Sequence, residues 1–196
     1  HYLLKPQETM AVGAYATPVY YMEAKRAQAQ AMIDAKDAIR KVSKEFGDMT
    51  GRYYDLIEKY EMDDAETAVI MIGSSAGTAK EAIQDLRAKG HKVGLIKVRS
   101  FHPFPDKEIV DAVKGLKAFA VMDKDDSFNG HCGPMYAETC AALVAAGVSA
   151  KAINYIYGLG GRDVKVSSIE KVFAELEEIA KTGNVGETYR YLEVRE

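Results

Sequence analysis

The sequence predicts a three-layer α/β/α fold, in which helices cover both faces of a mostly parallel β-sheet. From residue 67 onwards, short apolar runs of strand type alternate with helical runs, and this alternation is typical of parallel sheets that are buried on both faces. The first 66 residues hold a single long helical run instead. We therefore expect an extended arm and a docking helix over residues 1–66, and an α/β domain with a C-terminal tail over residues 67–196. A chain of 196 residues is long enough for one such domain, but not for two full catalytic domains.

The N-terminal part is predicted to consist of an arm and one helix. Residues 1–16 show no periodicity and contain a proline and a glycine, so we expect an extended arm that lies against another surface. Thr17 followed by Pro18 is typical of a helix start, and Gly47 of a helix end. The apolar residues of this helix recur at spacings of three and four, which predicts a stripe that docks on a surface. The stripe consists of Met32, Ala35, Ile39, Val42 and Phe46.

Four strands and four helices are predicted in the α/β domain. The strands are expected over residues 67–72, 92–98, 118–122 and 152–157. The helices are expected over residues 77–89, 105–114, 134–146 and 167–181. Ser167, with Glu170 three residues later, is typical of a capping box at the start of the last helix. The polar tail over residues 182–196 is interpreted as a second arm that lies against a partner.

Composition and charge exclude several classes of protein. The net charge is −3, with both signs mixed along the chain, so no surface for DNA or RNA is predicted. The longest apolar stretches, at 68–72 and 141–148, are much shorter than the roughly 20 residues that cross a membrane. Two cysteines are too few to hold an iron–sulfur cluster, and the expected location is the cytoplasm. Because the chain starts at His1 rather than methionine, we expect further polypeptide upstream.

Four loops follow the carboxyl ends of the predicted strands, where ligands and partners of open parallel sheets bind. The first loop, over residues 73–78, precedes a helix. Its small residues allow backbone N–H groups at the helix N-terminus to face an anion or a partner. The alternative is a tight turn in which the serines and the threonine cap the helix. The candidate residues for anion or interface contact are Gly73, Ser74, Ser75, Gly77 and Thr78.

The second loop, over residues 99–105, combines two phenylalanines with two prolines directly after a strand. Prolines stiffen the loop, and aromatic side chains supply large contact areas at a small entropic cost. We expect a packing surface rather than a chemical site, because no carboxylate is obviously placed to orient His102 as an acid–base group. The candidate interface residues are Arg99, Phe101, His102, Pro103 and Phe104.

The third loop, over residues 123–134, allows three interpretations. An Asp-x-Ser-x-Asn-Gly run from Asp125 matches the start of a calcium loop, but the twelfth position holds Tyr136 instead of the glutamate that calcium requires. Cys132, next to a histidine and a helix start, has the surroundings of a thiolate with a lowered pKa. The interpretation we favour is a glycine-rich turn that redirects the chain.

The fourth loop, over residues 158–163, places three glycines after a strand, as a dinucleotide-binding loop does. That interpretation fails because Asp163 occupies the position of the third glycine and the next helix begins several residues later. We expect the glycines to permit unusual backbone angles or the close approach of another backbone, and Arg162 to form ion pairs or contact a partner. The candidate interface residues are Gly158, Gly160, Gly161 and Arg162.

None of these loops contains a complete catalytic site. The sequence shows no nucleophile–base triad, no paired carboxylates, no metal cluster and no complete phosphate-binding loop. We therefore assign no catalytic, cofactor-binding or metal-binding residue, and we expect that this chain does not catalyse a reaction alone.

Three motifs carry a resemblance to a known family through their order and spacing. They are KVGLIKVRSFHPFP at 92–105, VMDK with the following SF and Gly at 121–130, and GLGGRD at 158–163. Together they resemble the C-terminal half of the α subunit of pyruvate:ferredoxin oxidoreductase and related 2-oxoacid:ferredoxin oxidoreductases. Residues 73–80 and the helix start at Pro18 resemble this family as well, so the likeness covers nearly the whole chain.

The resemblance implies a domain similar to the transketolase C-terminal domain, packed beside thiamine-binding domains. In such complexes thiamine diphosphate and magnesium supply the carbanion chemistry, coenzyme A takes the acyl group, and iron–sulfur clusters pass electrons to ferredoxin. The resemblance implies that other thiamine-binding, CoA-binding and ferredoxin-like domains or subunits hold these groups, so that this segment serves assembly. Pyruvate is the expected substrate.

Three alternatives differ in function from this expectation. The chain is also compatible with the equivalent domain of a transketolase or of an NAD-linked 2-oxoacid dehydrogenase. A second alternative is a stand-alone module that binds an anion or a nucleotide through residues 73–78. A third is a scaffold without an enzyme.

Overall fold

The computed structural model of this chain describes residues 7, 13, 15, 17–128 and 130–195. The helices within these residues are α1 (Pro18–Thr50), α2 (Ser75–Ala88), α3 (Asp106–Val113), α4 (Pro134–Ala145) and α5 (Val166–Thr182). The strands are β1 (Ile57–Tyr60), β2 (Thr67–Ile72), β3 (Val93–Val98), β4 (Ala118–Asp123), β5 (Ala152–Ile156) and β6 (Tyr189–Tyr191). In these ranges, no helix is both long enough and apolar enough to cross a bilayer.

The strands form one mixed sheet in the order β1-β3-β2-β4-β5-β6. Strands β3, β2, β4, β5 and β6 are parallel to one another, whereas the edge strand β1 runs antiparallel along β3. Helices α2 and α5 pack on one face of the sheet, and α3 and α4 pack on the other. The predicted α/β class, with a mostly parallel sheet between two helical layers, is thereby confirmed.

The central strands are buried on both faces, which explains their continuous apolar sequences. All residues of β4 are buried, and so are the first five residues of β2. Because side chains alternate between the two faces of a strand, Val69 and Met71 contact the α2/α5 layer while Ile70 contacts the α3/α4 layer. Each large side chain buried in this way contributes about 1.5–3 kcal/mol. The sheet is therefore a rigid base for the loops at its ends.

Helix α1 starts where the sequence predicted, with Thr17 as the N-cap and Pro18 in the first turn, but it ends later. It continues past Gly47, where its end was predicted, and stops before Gly51, which has a φ of 73°. Inside the helix, the ring of Tyr53 packs against Gly47, and an added Cβ would collide with that ring. This glycine therefore serves close packing rather than helix termination.

The face through which α1 docks differs from the predicted stripe. Lys36 pairs with Asp106, and Arg40 pairs with Glu108, so the start of α3 attracts a charged face of α1. Gly47 is the buried residue of this helix. Within the predicted stripe, Ala35 and Ile39 are half-buried. Met32, Val42 and Phe46 remain 42%, 62% and 38% exposed.

Two short edge strands were not predicted. Strand β1 lies upstream of residue 67, so the sheet begins within the part that the sequence assigned to the arm and the helix. Strand β6 lies in the tail that was predicted to contact a partner, and it pairs with β5. Short edge strands have weak sequence signals because their neighbours decide whether they pair. The arm predicted over residues 1–16 lies outside the described residues, apart from residues 7, 13 and 15.

The capping box predicted at the start of α5 is wrong. The helix begins at Val166, and no side chain caps it. Glu170 is engaged elsewhere, because its Oε1 lies 3.4 Å from Nζ of Lys89 at the end of α2. The bounds of the other predicted elements of the α/β domain agree with the structure to within two residues.

Candidate functional site

The carboxyl ends of the parallel strands bring the four predicted loops to one edge of the sheet. Strand β3 lies on one side of β2, and the next strand along the chain, β4, lies on the other side of β2. The strand order therefore reverses between β2 and β4, and a crevice opens at such a reversal. The loops at residues 73–78 and 123–134, which follow these two strands, border the crevice.

A polar cleft of about 300 Å³ lies at this position. We call it the carboxyl-edge cleft, and its lining residues are Ser74, Ser75, Thr78, Lys124, Gly161, Arg162, Asp163 and Val164. The sequence predicted the first and the fourth loop as separate candidates, and the structure joins them. Lys124, from the third loop, was not singled out in the sequence. It packs against Gly158, where an added Cβ would lie 3.0 Å from its Cε atom.

The first turn of α2 forms one wall of the carboxyl-edge cleft. Ser74 is the N-cap residue, but its side chain makes no capping hydrogen bond, so the self-capping alternative is wrong for this serine. The hydroxyl of Tyr157 lies near the Ser75 side chain without hydrogen-bond geometry, and it has no partner among the described residues. Burial raises the pKa of Tyr157, so this hydroxyl keeps its proton.

The cleft carries charges of both signs. Lys124, Arg162 and the N-terminus of α2 contribute positive charge, which favours a single anionic group. Asp163 on the same wall opposes a larger anion. No pair of residues in the cleft combines a nucleophile with a base in hydrogen-bond contact among the described side chains.

The second loop packs mainly against its own domain. Pro103 is buried, and Phe101 and Phe104 are half-buried against the α3/α4 layer, with 6.1 Å between their ring centroids. The side chain of His102 is 57% exposed, and its Nε2 lies 3.6 Å from Oε1 of Glu138. The sequence did not reveal this carboxylate, because it belongs to α4 and reaches the loop only in the folded chain.

Arg99 is held by its own chain. Its guanidinium pairs with Glu58 and lies over the ring of Tyr54, 4.6 Å from the centroid. Glu58 also pairs with Lys80 of α2. Although burial acts in the opposite direction, the hydrogen bond and charge of Lys80 and the charge of Arg99 lower the pKa of Glu58. The unpredicted strand β1 thus ties the second loop to α2.

A buried hydrogen-bond network holds the third loop. Asp123, at the end of β4, is 3% exposed, and its Oδ1 accepts the N–H of Met135 at 2.8 Å while its Oδ2 accepts that of Tyr136 at 3.3 Å. Nδ2 of Asn154 donates to the same carboxylate at 2.8 Å, and Oδ1 of Asn154 accepts the N–H of Gly133 at 2.6 Å. Burial raises the pKa of Asp123, although these hydrogen bonds act against the rise. The network caps the start of α4.

The sequence contains one signal for this network. Asn154 stands in the middle of the apolar strand sequence AINYI and is fully buried. A buried asparagine requires partners for its amide, so its position pointed to a polar contact from a neighbouring strand. The neighbour is β4, where Val121 also accepts a hydrogen bond from Nδ2 of Asn154 at 2.9 Å.

The interpretation of Cys132 as an activated thiol is wrong. Burial and the negative charge of Asp123 raise the pKa of Cys132, and burial raises that of Cys140. The carboxylate of Asp123 already occupies the helix N-terminus that would stabilise a thiolate. Across the part of the chain that the structure describes, no group of three His, Cys, Asp or Glu side chains is placed to hold a metal ion.

The backbone of the fourth loop has the unusual angles that the sequence predicted, and its arginine binds within its own chain. Gly158, Gly160 and Gly161 have φ values of 66°, 64° and 81°, where a residue with a Cβ would be strained. Arg162 donates to the backbone oxygen of Glu193, whose carboxylate accepts a hydrogen bond from Ser168 at 2.6 Å. The arginine therefore fastens the tail of its own chain.

The tail completes the carboxyl edge. The hydroxyls of Tyr189 and Tyr191 both donate to Asp126 of the third loop, and these hydrogen bonds lower the pKa of Asp126. Arg190 pairs with Glu175 on α5. Strand β6 thus holds the third loop and α5 together.

The comparison with family models matches the sheet and its loops. Residues 65–169, more than half of the chain, match the pyruvate:ferredoxin oxidoreductase core domain II. This chain belongs to that family. The match runs from β2 into α5 and includes all four loops of the carboxyl edge. Among solved structures, a 2-oxoglutarate:ferredoxin oxidoreductase from Magnetococcus marinus has a TM-score of 0.47 at 25% identity, over 63% of this chain and 20% of that chain.

Curated relatives align with nearly the whole chain. Pyruvate synthase subunit PorA from Methanosarcina barkeri is 42% identical over 92% of this chain and 45% of its own length. Ketoisovalerate oxidoreductase subunit VorA from Pyrococcus abyssi is 40% identical over 91% of this chain and 45% of its own length. The alpha subunit of NADH-dependent phenylglyoxylate dehydrogenase from Aromatoleum evansii is 35% identical over 90% and 44%. The chain spans less than half the length of these relatives.

Proposed function

We propose that this chain is part of the α subunit of a cytoplasmic 2-oxoacid:ferredoxin oxidoreductase, with pyruvate as the 2-oxoacid. The complex cleaves the carboxylate from the 2-oxoacid as carbon dioxide, joins the acyl group to coenzyme A and passes two electrons to ferredoxin. The observation that carries this proposal is the 42% identity to a pyruvate synthase subunit over 92% of the chain. The match to core domain II supports it independently.

The proposed role of this segment is assembly. Its loops are fastened by internal contacts, and the carboxyl-edge cleft suits binding rather than catalysis. At the same edge, Phe128 is fully exposed and Leu159 is 43% exposed, which suits contact with a partner. Other subunits or domains of the complex would hold thiamine diphosphate, magnesium, the iron–sulfur clusters and coenzyme A.

Purification of the native complex tests this proposal. We expect this chain to copurify with thiamine-binding, CoA-binding and ferredoxin-like polypeptides, and the complex to reduce ferredoxin with pyruvate and coenzyme A. The isolated chain is expected to show no thiamine-dependent decarboxylation. Turnover by the isolated chain would contradict the assembly role, and a complex without 2-oxoacid oxidation would contradict the whole proposal.

A second candidate function changes only the electron acceptor. One relative with 35% identity is named as NADH-dependent, which favours the alternative of an NAD-linked 2-oxoacid dehydrogenase. Parallel assays of the native complex with ferredoxin and with NAD⁺ separate the two. The stand-alone binding module is tested by calorimetry of the isolated chain with coenzyme A and nucleotides, because only that alternative requires binding without partners.

A further inference from the structure

The starts of the parallel strands border a second polar cleft, at the end of the sheet opposite to the carboxyl-edge cleft. The six residues of β2 separate the two clefts by about 20 Å, at about 3.3 Å per residue. The volume of the second cleft, about 520 Å³, falls in the range of sites that hold small molecules. We call it the amino-edge cleft, and its charged or titratable lining residues are Glu66, His91, Lys92, Lys117, Glu177 and Lys181.

A buried hydroxyl group also lines the amino-edge cleft. Thr67, the first residue of β2, is 1% exposed, and its Oγ1 atom has no hydrogen-bond partner among the described residues. Because side chains alternate along a strand, Thr67 faces the same side as Val69 and Met71, which contact the α2/α5 layer. The cleft lies on this side, since α5 forms one of its walls. Buried polar atoms are nearly always hydrogen-bonded, so an unpartnered hydroxyl at a cleft is suited to bind a ligand.

The strand starts contribute an excess of positive charge to the cleft. Glu66 pairs with both Lys92 and Lys117, and its Oε1 lies 3.7 Å from Nζ of Lys92. The hydrogen bond from Lys117 and the charges of both lysines lower the pKa of Glu66, so its carboxylate stays ionised. Two ammonium groups therefore share one carboxylate.

The helices contribute a lysine and an imidazole to the same cleft. Lys181, in the last turn of α5, forms no ion pair or hydrogen bond with a described residue. Glu177, one turn earlier, lies 2.5 Å from Nδ1 of His91. Because an ionised carboxylate only accepts hydrogen bonds, the proton in this contact belongs to His91. The other ring nitrogen of His91 makes no hydrogen bond with a described residue, so it can contact a ligand.

The helix ends do not reverse the sign of the cleft. Helices α2 and α5 both end at the amino edge, where the last carbonyl groups of a helix carry partial negative charge. These carbonyls are engaged, because Leu86 accepts the N–H of His91 at 3.1 Å and Ile179 accepts that of Gly183 at 2.8 Å. The side chains therefore decide the sign. Three lysines against two glutamates leave one excess positive charge.

We propose that the amino-edge cleft binds a small molecule through one anionic group, a carboxylate or a phosphate. The lysines neutralise the anionic oxygens, and the hydroxyl of Thr67 donates a hydrogen bond to one of them. Glu66 and Glu177 repel a second anionic group. The bound molecule ties the end of α5 to the starts of three parallel strands. This inference does not depend on the proposed function, so the failure of one leaves the other intact.

Thermal unfolding of the 196-residue chain with inorganic phosphate or acetate tests for the site and identifies the preferred group. For probes this small we expect a dissociation constant on the order of 1 mM. At 20 mM, the preferred anion should then raise the melting temperature by about 4–7 °C. Sodium chloride at the same ionic strength is the control and should not reproduce this increase. A chain that responds equally to all three salts would overturn the proposal.

Two variants of Thr67 isolate its hydroxyl. Thr67→Val keeps the shape of the side chain and should weaken binding of the preferred anion by about fivefold. Without the anion, the same variant should raise the melting temperature by about 2–4 °C, because it removes a buried hydroxyl that lacks a partner. Thr67→Ser keeps the hydroxyl and should bind to within about twofold of the unaltered chain. Unchanged binding by Thr67→Val would show that the cleft holds only water, and would overturn the proposal.

Three lysine variants locate the binding. Lys181→Gln removes a positive charge from the amino-edge cleft and should weaken binding by about fivefold. Lys171→Gln is the matched control on the same helix, about 15 Å nearer the carboxyl edge, and should leave binding unchanged. Lys124→Gln, in the carboxyl-edge cleft, should also leave it unchanged. Binding that is lost in Lys124→Gln but kept in Lys181→Gln would assign the anion to the carboxyl-edge cleft instead.

Reductive methylation of lysines with formaldehyde and cyanoborohydride tests the site in the native complex. The preferred anion should slow the methylation of Lys181 by about fivefold at five times its dissociation constant, and it should leave Lys171 unchanged. Mass spectrometry of the peptides reports the two lysines separately. The absence of protection at Lys181 would contradict the proposal. Slow methylation of Lys181 without any added anion would show that another polypeptide covers the cleft, which overturns the proposal as well.

Discussion

At the scale of single residues, the carboxyl edge depends on Asp123. Its carboxylate accepts hydrogen bonds from two N–H groups at the start of α4 and from Asn154. All three donors are buried or half-buried, so they cannot all turn to water when the acceptor is removed. Asp123 therefore sets the position of the third loop against β5, and with it the position of Lys124.

Asp123→Ala should lower the free energy of unfolding by about 2–4 kcal/mol, because it leaves several buried donors without an acceptor. Asp125→Ala, two residues away and exposed, should change it by less than about 0.5 kcal/mol. Urea unfolding followed by circular dichroism measures both. Equal stability of the two variants would contradict the structural role of Asp123.

The thiol of Cys132 is expected to react slowly. Burial and the Asp123 carboxylate raise the pKa of Cys132, so less thiolate is present near neutral pH than in a free cysteine. Alkylation of Cys132 by iodoacetamide should accelerate with rising pH, and at pH 8 it should be slower than that of glutathione. Mass spectrometry of the peptides reports Cys132 and Cys140 separately. Fast labelling of Cys132 at pH 7 would restore the thiolate interpretation.

At the scale of elements, α1 shows how charge can decide which face of a helix docks. The helix lies against α3 through ion pairs of Lys36 and Arg40, while much of its predicted apolar stripe faces away. Arg40 pairs with three acidic residues, since its Nη1 also lies 3.1 Å from Oδ1 of Asp37 and its Nε 3.5 Å from Oδ1 of Asp55. One Oε atom of Glu108 is buried without a hydrogen bond among the described residues, so this carboxylate depends on Arg40.

Arg40→Ala should loosen the second half of α1. We expect a local loss of about 1–2 kcal/mol, because a half-buried carboxylate loses its partner. Hydrogen exchange of the amides in residues 36–50 should accelerate by about five- to thirtyfold. Arg26→Ala, on the exposed half, serves as the control and should leave this exchange unchanged. High salt should narrow the difference because the pair is partly exposed.

The elements also show where local sequence is insufficient. Four strands and four helices of the α/β domain were predicted to within two residues, because periodicity and turn residues act locally. Gly47 was misread as a helix end because only the folded chain reveals the Tyr53 ring beside it. Ser167 was misread as a cap because its partner Glu170 bonds instead to Lys89, far away in the sequence.

At the scale of the whole molecule, the tail closes one edge of the sheet. The N–H of Asn154 donates to the carbonyl of Thr188 at 2.7 Å, and the N–H of Leu192 donates to that of Ile156 at 2.9 Å. Without these contacts, β5 would expose unpaired backbone groups, and exposed strand edges promote association with other chains.

Deletion of residues 187–196 should lower the melting temperature and cause aggregation that depends on concentration. Deletion of residues 194–196 keeps β6 and Glu193, so it should leave both properties unchanged. Scanning calorimetry and light scattering measure the two effects. A long deletion that stays stable and monodisperse would show that β5 does not need β6.

The sequence by itself determined the α/β class, the central strands, the place of the four loops and the family resemblance. These features depend on periodicity and on contiguous motifs, which are properties of neighbouring residues. Only the tertiary structure decided the docking face of α1, the two edge strands, the joint cleft of Ser74, Lys124 and Arg162, and the partnership of Asp123 with Asn154. Each of these is a contact between residues far apart in the chain, whose geometry exists only after the sheet has formed.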